Sequence, residues 1–187
     1  MKFSRPRLVF LDRDGVINRF PGKGVYVTSQ ELFDFLPGAL EGIRLLTEAG
    51  VELAVVSNQG CVSRGLITQK TLDTMTGRML EEIQRAGGNI SAVYYCPHQT
   101  SDACDCRKPQ TALFKKALAG RQIKMDTVYF LGDSEEDMAA GKSLGCHTIL
   151  VLSGRSGKED VAQLNTQPEV VKNDLLEAAR WILKKIS

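Results

Sequence analysis

The chain has 187 residues, of which 43% are hydrophobic and 25% charged, with a formal net charge of +2. These values are typical of a globular protein, and we expect a single domain over residues 1–187. The balanced charge gives no electrostatic case for nucleic acid as a partner. No apolar run approaches the ~18 residues that cross a membrane, and no cleavage site follows the basic N-terminus, so the sequence predicts a cytoplasmic protein.

Apolar runs of strand length alternate with segments of helical periodicity along the chain. Strands are predicted at 8–11, 51–56, 90–95, 127–131 and 147–152. Helices are predicted at 38–49, 68–86, 111–119, 134–144 and 174–186, while 161–171 matches neither pattern. The alternation predicts an α/β fold, a doubly wound, Rossmann-like parallel sheet with helices on both faces. Ligands of such sheets bind beyond the carboxyl ends of the strands.

Two carboxylates, Asp12 and Asp14, follow the first predicted strand, and Gly15 comes directly after them. Strand side chains alternate with a period of two, so the two carboxylates point to the same side. Two carboxylates this close repel each other unless a cation lies between them, and oxygen ligands favour a hard cation such as Mg²⁺. The apolar strand before them and the lack of further acidic ligands downstream argue against a calcium loop.

An acidic helix start after the strand at 127–131 supplies a third carboxylate. Asp133 is expected at the same sheet edge as Asp12 and Asp14, where it would complete a magnesium site. Asp137 lies one helical turn later and would hydrogen-bond to water around the metal. The helix dipole alone also favours acidic residues at a helix start, which is the alternative explanation.

Two further segments carry groups that suit a phosphate. Ser57 offers a hydroxyl after the second predicted strand, together with the backbone N–H groups that follow it. Arg107 and Lys108 precede the helix at 111–119, whose N-terminus attracts anions. Lysine neutralises a phosphoryl group as a point charge, and arginine binds two oxygens. Taken alone, an ordinary polar turn and a surface Arg-Lys pair would explain these residues equally well.

Three of the five cysteines and one of the two histidines fall within residues 96–106. Three thiolates and one imidazole match a closed tetrahedral zinc site, which is structural because no coordination position stays open. The predicted ligands are Cys96, His98, Cys104 and Cys106. The ion would hold together the loop 96–108, which contains all four ligands. Cys61, Cys146 and His147 are predicted to be packing residues.

The combined motifs resemble the haloacid dehalogenase-like phosphatases. The matching residues are Asp12-x-Asp14-Gly15, Ser57, Lys108 and Gly132-Asp133-x-x-x-Asp137. The cysteine cluster followed by Arg-Lys-Pro is similar to a zinc-containing subgroup, which holds the D-glycero-D-manno-heptose 1,7-bisphosphate phosphatases and the histidinol-phosphatases. The resemblance covers about residues 8–152 and implies a fold without a cap domain, so that loops at 19–26, 58–64 and 96–108 determine specificity.

The resemblance also implies the roles of the site residues. Asp12 is expected to attack phosphorus and form an aspartyl-phosphate, and Asp14 to act as general acid and then general base. Mg²⁺ would be held by Asp12, the carbonyl of Asp14 and Asp133. Ser57 and Lys108 would hold the phosphoryl oxygens.

The segments 57–65 and 94–98 look more like those of the heptose enzymes, which implies a phosphorylated sugar substrate cleaved at position 7. The expected substrate-binding residues are Lys23, Tyr26, Asn58, Gln59, Arg64 and Arg107. A histidinol-phosphatase or a generalist sugar phosphatase remains an alternative, as does, more distantly, a non-enzymatic zinc-binding module. We expect a monomer that binds neither nucleic acid nor membranes.

Overall fold

The computed structural model describes residues 7–185, which form a six-stranded sheet flanked by five helices. The strands are β1 (Leu8–Leu11), β2 (Glu52–Asn58), β3 (Ala92–Cys96), β4 (Val128–Gly132), β5 (His147–Val151) and β6 (Val170–Lys172). The helices are α1 (Ala39–Glu48), α2 (Gln69–Arg85), α3 (Ala112–Leu118), α4 (Glu135–Leu144) and α5 (Leu175–Leu183). Short 3-10 turns lie at Gln30–Leu32, Thr100–Asp102, Met125–Thr127 and Val161–Gln163.

All strand pairs are parallel, and the strand order is β3-β2-β1-β4-β5-β6. The chain moves outward from β1 through β2 to β3 and then returns to place β4 on the other side of β1. The doubly wound α/β fold predicted from the sequence is therefore confirmed. The crevice between the carboxyl ends of β1 and β4 is the point where such sheets bind ligands.

The central strands are buried on both faces because helices cover both sides of the sheet. Val9 and Leu11 face the apolar side chains of α1 and α5, whereas Leu8 and Phe10 face those of α3 and α4. Phe114 of α3 packs edge-on against Phe10 at 5.1 Å between ring centroids. This two-sided burial fixes the register of β1, so the residues directly after it have a defined direction.

Most predicted boundaries differ from the observed ones by one or two residues, and the differences around β2, β6 and α5 have clear physical reasons or bear on the site. β2 continues to Asn58 because Ser57 and Asn58 pair with β3, so Ser57 lies within the strand and not after it. No secondary structure was predicted for the segment 161–171. Its last two residues are the first two of the edge strand β6, whose three residues pair only with β5. α5 ends at Leu183, and the predicted helix end at Ile186 lies outside the described residues.

The loops at the carboxyl end of the sheet carry little regular structure. Between β1 and α1 the chain forms one 3-10 turn, Gln30–Leu32, and a second such turn, Thr100–Asp102, lies between β3 and α3.

Within residues 7–185, no helix combines the length and the apolar character that crossing a bilayer requires.

Candidate active site

Three carboxylates converge where β1 and β4 end. The backbone N–H of Asp12 donates to Leu131 O at 2.9 Å, which continues the β1–β4 ladder by one residue. Asp133 directly follows β4, and Asp137 lies in the first turn of α4. One carboxylate oxygen from each of Asp12, Asp133 and Asp137 lies within 4.8 Å of the others, and all three residues are buried.

Lys108 supplies a buried positive charge to this cluster. Its Nζ lies 2.5 Å from Asp12 Oδ1 and 2.6 Å from Asp137 Oδ1, and it donates to Val56 O at 2.9 Å. Asn58 fixes the lysine backbone, because its side chain accepts from Lys108 N at 2.9 Å and donates to Lys108 O at 3.2 Å. The last residue of β2 thus places the lysine at the end of β1.

Burial in the described structure disfavours the charged forms of these carboxylates. Loss of solvent raises the pKa of Asp12 to about 6, although Lys108 opposes the shift. Burial, followed by the charges of Asp137 and Asp12, raises the pKa of Asp133 well above its ordinary value. Burial lowers the pKa of Lys108, but the two carboxylates raise it by more, so the ammonium stays charged. If all three carboxylates were ionised, the single lysine would leave the cluster with a net negative charge.

Glycines make room for the Asp133 carboxylate. A Cβ on Gly15 would lie 2.1 Å from Asp133 Oδ2, and a Cβ on Gly154 would lie 2.0 Å from the same atom. Gly15 also has φ +90°, which favours glycine. Gly154 belongs to a loop after β5 that the sequence analysis did not connect with the site. Its backbone neighbour Arg155 donates its N–H to Asp133 Oδ2 at 2.7 Å.

Asp137 orders the start of α4 as well as pairing with Lys108. Its Oδ2 accepts from Ser134 Oγ at 2.6 Å, from Ser134 N at 3.2 Å and from Asp133 N at 3.1 Å. These bonds satisfy backbone groups that a helix start otherwise leaves unpaired. They also fix the turn that carries Asp133. The other Asp137 oxygen is turned toward Lys108 and the cluster.

Asp14 is held by Arg13 and Asn18, which the sequence analysis did not single out, and by Gln59. Its carboxylate accepts from Arg13 and from Asn18, whose Nδ2 lies 2.8 Å from Asp14 Oδ1. Gln59, predicted to bind substrate, donates to Asp14 Oδ2 at 2.8 Å and to Ser57 Oγ at 3.2 Å. The single sequence clue to Arg13 was its position between the two aspartates. Nothing in a single sequence distinguishes a buried arginine there from an exposed one.

A cleft of about 390 Å³ opens onto these groups. Among the predicted site residues, it is lined by Asp12, Asp14, Tyr26, Ser57, Asn58, Cys104, Arg107, Lys108, Asp133 and Asp137. Lys23 is exposed and is not among the lining residues. Arg64 is also exposed and lies over the Tyr26 ring at 5.8 Å. Arg155, which the sequence analysis missed, lines the cleft and lies over Phe20 at 5.5 Å.

The four predicted zinc ligands meet beside the cleft. The cysteine sulfurs are 3.2–3.6 Å apart, and His98 Nδ1 lies 3.2 Å from Cys106 Sγ. These separations are too long for disulfides, whose S–S length is about 2.05 Å. They are close to the ~3.8 Å between sulfurs that sit about 2.3 Å from a tetrahedral zinc. The donor set of three sulfurs and one nitrogen therefore fits zinc.

The cysteine cluster and the cleft share a loop. Arg107 follows Cys106 directly, and its Nη1 donates to the backbone oxygen of His98 at 2.9 Å. A Cβ on Gly60 would lie 3.1 Å from that same oxygen. The segment after β2 thus packs closely against the cysteine loop, and a change in the cluster would move Arg107 at the cleft wall.

Comparisons with known proteins decide the family. The chain is 32% identical over 177 residues to a D-glycero-beta-D-manno-heptose-1,7-bisphosphate 7-phosphatase of Pseudomonas putida, covering 95% of this chain and 99% of the relative. It is 33% identical to the enzyme of that name from Bordetella bronchiseptica, covering 96% and 99%. A HAD-hydrolase-like family model matches residues 105–178. The chain belongs to the haloacid dehalogenase-like phosphatases.

A solved structure with the same fold supports this membership. The D,D-heptose 1,7-bisphosphate phosphatase of B. bronchiseptica, complexed with magnesium and phosphate, superposes with a TM-score of 0.88 at 32% identity. The alignment covers 96% of this chain and 99% of that one. The haloacid dehalogenase-like phosphatases are hydrolases, so the chain is an enzyme and the resemblance stated from its motifs is confirmed.

Proposed function

We propose that this phosphatase hydrolyses the phosphate at position 7 of D-glycero-β-D-manno-heptose 1,7-bisphosphate and depends on Mg²⁺. The observation that carries the proposal is the buried Asp12–Lys108 pair, which opens onto the cleft beside Asp133. Relatives that bear this activity in their names align with 95–96% of the chain at 32–33% identity. The names of these relatives indicate the substrate, and the residues of the site indicate the type of reaction.

Asp12 is the proposed nucleophile. Its carboxylate oxygen forms a bond to phosphorus while the bond from phosphorus to the sugar oxygen breaks, which gives an aspartyl-phosphate and a sugar alcohol. Asp14 donates the proton that the leaving alkoxide needs. In the second half, water attacks phosphorus, Asp14 takes the proton from water, and phosphate leaves Asp12. Both aspartates line the cleft, so both have access to a bound phosphoryl group.

Lys108 and Ser57 are proposed to hold the phosphoryl oxygens. Both are buried and line the cleft, and the lysine ammonium is already fixed by Asp12, Asp137 and Val56 O. One of its three N–H groups turns from Asp12 to the phosphoryl oxygen, while Asp137 and Val56 O keep the ammonium in place, so the lysine needs little reorganisation to stabilise the transition state. A single such donor contributes about 3 kcal/mol.

Asp12, Asp133 and the backbone carbonyl of Asp14 are proposed to hold Mg²⁺. The set offers oxygen ligands alone, and burial together with neighbouring carboxylates raises the pKa of Asp12 and of Asp133, so a hard divalent cation bound there would favour their charged forms. When bound, Mg²⁺ screens the repulsion between the nucleophilic carboxylate and the phosphate. Zinc is proposed at the cysteine cluster, where a closed ligand set gives it a structural function only.

The second phosphate of the substrate requires a cation at the cleft wall. Arg107 and Arg155 both line the cleft, and neither is paired directly with Asp12 or Asp133 through its side chain. We expect Arg107 to hold the distal phosphate, and Arg64, stacked on Tyr26, to support that wall. Binding energy from this remote phosphate would position the reacting one.

The decisive experiment compares kcat/KM for heptose 1,7-bisphosphate, fructose 1,6-bisphosphate and histidinol phosphate. Wild-type enzyme should prefer the heptose bisphosphate, and Arg107→Ala should lower kcat/KM for both bisphosphates more than for histidinol phosphate. Arg85→Ala is the matched control, because Arg85 pairs with Glu81 and Glu82 on the exposed side of α2. A preference for histidinol phosphate would assign a histidinol-phosphatase, equal rates would assign a generalist, and no phosphate release would reject an enzymatic function.

A further inference from the structure

Arg13 is the largest of the fully buried side chains in the described structure, with 1% exposure. It lies between the two aspartates of the motif, yet no step of the proposed reaction uses it. Burying a guanidinium is costly unless the charge is paired and its N–H groups are bonded. The groups that pair with Arg13 and bond its N–H groups therefore indicate its function.

The Arg13 guanidinium makes three hydrogen-bond contacts with the Asp14 carboxylate. Arg13 Nη2 lies 2.9 Å from Asp14 Oδ1 and 3.1 Å from Oδ2, and Nε lies 3.2 Å from Oδ1. Asn18 and Gln59 donate to Oδ1 and Oδ2 from other directions, each at 2.8 Å. Five donor contacts from three side chains therefore determine the plane of the carboxylate.

Arg13 is itself fixed by aromatic neighbours. Its guanidinium carbon lies 5.9 Å from the centre of the Phe33 ring and 5.7 Å from that of Tyr95. The Tyr95 hydroxyl accepts from Thr76 Oγ1 at 3.1 Å, which links β3 to α2. The orientation of the arginine is thus set by residues that are not among those lining the cleft.

We propose that Arg13 is a positioning residue that holds the Asp14 carboxylate in the orientation required for proton transfer to the leaving group and from water. The proposal rests on the proposed function, because it assumes that Asp14 is the general acid and base. Arginine is required because its planar fork bonds two oxygens of one carboxylate, which the single ammonium of lysine does not do.

The proposal predicts that loss of Arg13 affects two classes of substrate differently. An alkyl phosphate, such as a sugar phosphate, releases an alkoxide that needs a proton from Asp14. p-Nitrophenyl phosphate releases a stable phenolate that leaves without one. A misoriented Asp14 should therefore slow the first half-reaction for the sugar phosphate only, and slow the second half-reaction for both substrates.

The test measures Arg13→Lys with fructose 1,6-bisphosphate in steady state and with p-nitrophenyl phosphate by rapid mixing. We expect kcat for the sugar phosphate to fall about 10²-fold, while the initial burst of p-nitrophenol keeps its rate and is followed by slow turnover. Gln59→Met, which removes one of the two donors to Asp14 Oδ2, should show the same pattern more weakly and serves if Arg13→Lys does not fold. Arg44→Lys is the matched control, because Arg44 pairs with Glu48 on the surface of α1.

An equal fall in the burst rate and in sugar phosphate turnover would overturn the proposal, because it would show general damage to the site. Unchanged sugar phosphate turnover in Arg13→Lys would overturn it as well. Failure of the proposed function is seen separately, either as no release of p-nitrophenol by wild-type protein or as release that survives Asp12→Asn.

Discussion

Lys108 Nζ lies 2.5 Å from Asp12 Oδ1, although the two residues are 96 positions apart in the chain. The lysine is delivered by the loop that leaves the cysteine cluster, and Asn58 at the end of β2 holds its backbone. The nucleophile candidate and its cation therefore depend on three separate strand ends. The ion pair is buried, so neither partner can be removed without leaving the other charge uncompensated.

Replacing Lys108 by methionine should reduce both activity and stability. Activity should fall about 10²–10³-fold, because the phosphoryl group loses a preorganised donor. The free energy of unfolding at neutral pH should fall by about 3–5 kcal/mol, because Asp12 and Asp137 lose their cation. Steady-state kinetics and urea denaturation measure the two effects. Lys142→Met, an exposed change in α4, should leave both unchanged, and near-normal kcat in Lys108→Met would contradict the proposed function of the lysine.

Gly154→Ala should disturb the Asp133 carboxylate without straining the backbone. The new Cβ would lie 2.0 Å from Asp133 Oδ2, so the carboxylate must move. We expect a large loss of phosphatase activity and a higher Mg²⁺ concentration for half-maximal rate. Gly77→Ala is the control, because nothing lies within 4 Å of its new Cβ within α2, and it should stabilise the protein by about 1 kcal/mol. Equal activity of the two variants would show that Asp133 tolerates displacement.

Cys104→Ser should lower the zinc content, the thermal stability and the affinity for substrate together. A structural zinc contributes directly to folding, and the loop that it orders carries Arg107 to the cleft wall. Elemental analysis should find about one zinc per wild-type chain. Cys146→Ser changes a cysteine outside the cluster and should keep the zinc. Fully active protein with reduced cysteines and no zinc would contradict the structural function of the metal.

The raised pKa of Asp12 predicts that stability depends on pH in a defined direction. Its ordinary value is 3.8 and its folded value is about 6, so between these values the folded state binds more protons than the unfolded state. Stability from this group is therefore lost as pH rises through about 6. In magnesium-free buffer, the free energy of unfolding of Asp12→Asn minus that of wild type should be more positive at about pH 8 than at about pH 5, because only wild type loses stability as this carboxyl ionises. Urea denaturation at both pH values measures this difference, and an equal offset would contradict it.

Much of the fold and part of the site could be predicted from the sequence. Apolar runs marked β1 and β4 because both faces of these strands are buried, and the residues that end them, Asp12 and Asp133, meet as expected. The cysteine cluster was predicted from its composition alone. β6 carried too little signal, because a three-residue edge strand buries few side chains.

The supporting contacts could not be predicted, because they depend on tertiary packing. Arg13 is buried by Phe33 and Tyr95, which lie far from it in sequence. Gly154 matters only because its loop folds back over Asp133. Gln59 was predicted to contact substrate, and in this structure it bonds Asp14 and Ser57.

Phosphate release by Asp12→Asn tests the central claim most directly, since this change removes the proposed nucleophile and keeps the side chain's size. With heptose 1,7-bisphosphate and saturating Mg²⁺, the folded variant should release no phosphate above background, whereas Asp73→Asn, an exposed change in α2, should match wild type. Activity of Asp12→Asn within about tenfold of wild type would be a barrier change of only about 1.4 kcal/mol. That is too small for a lost nucleophile and would contradict catalysis through Asp12.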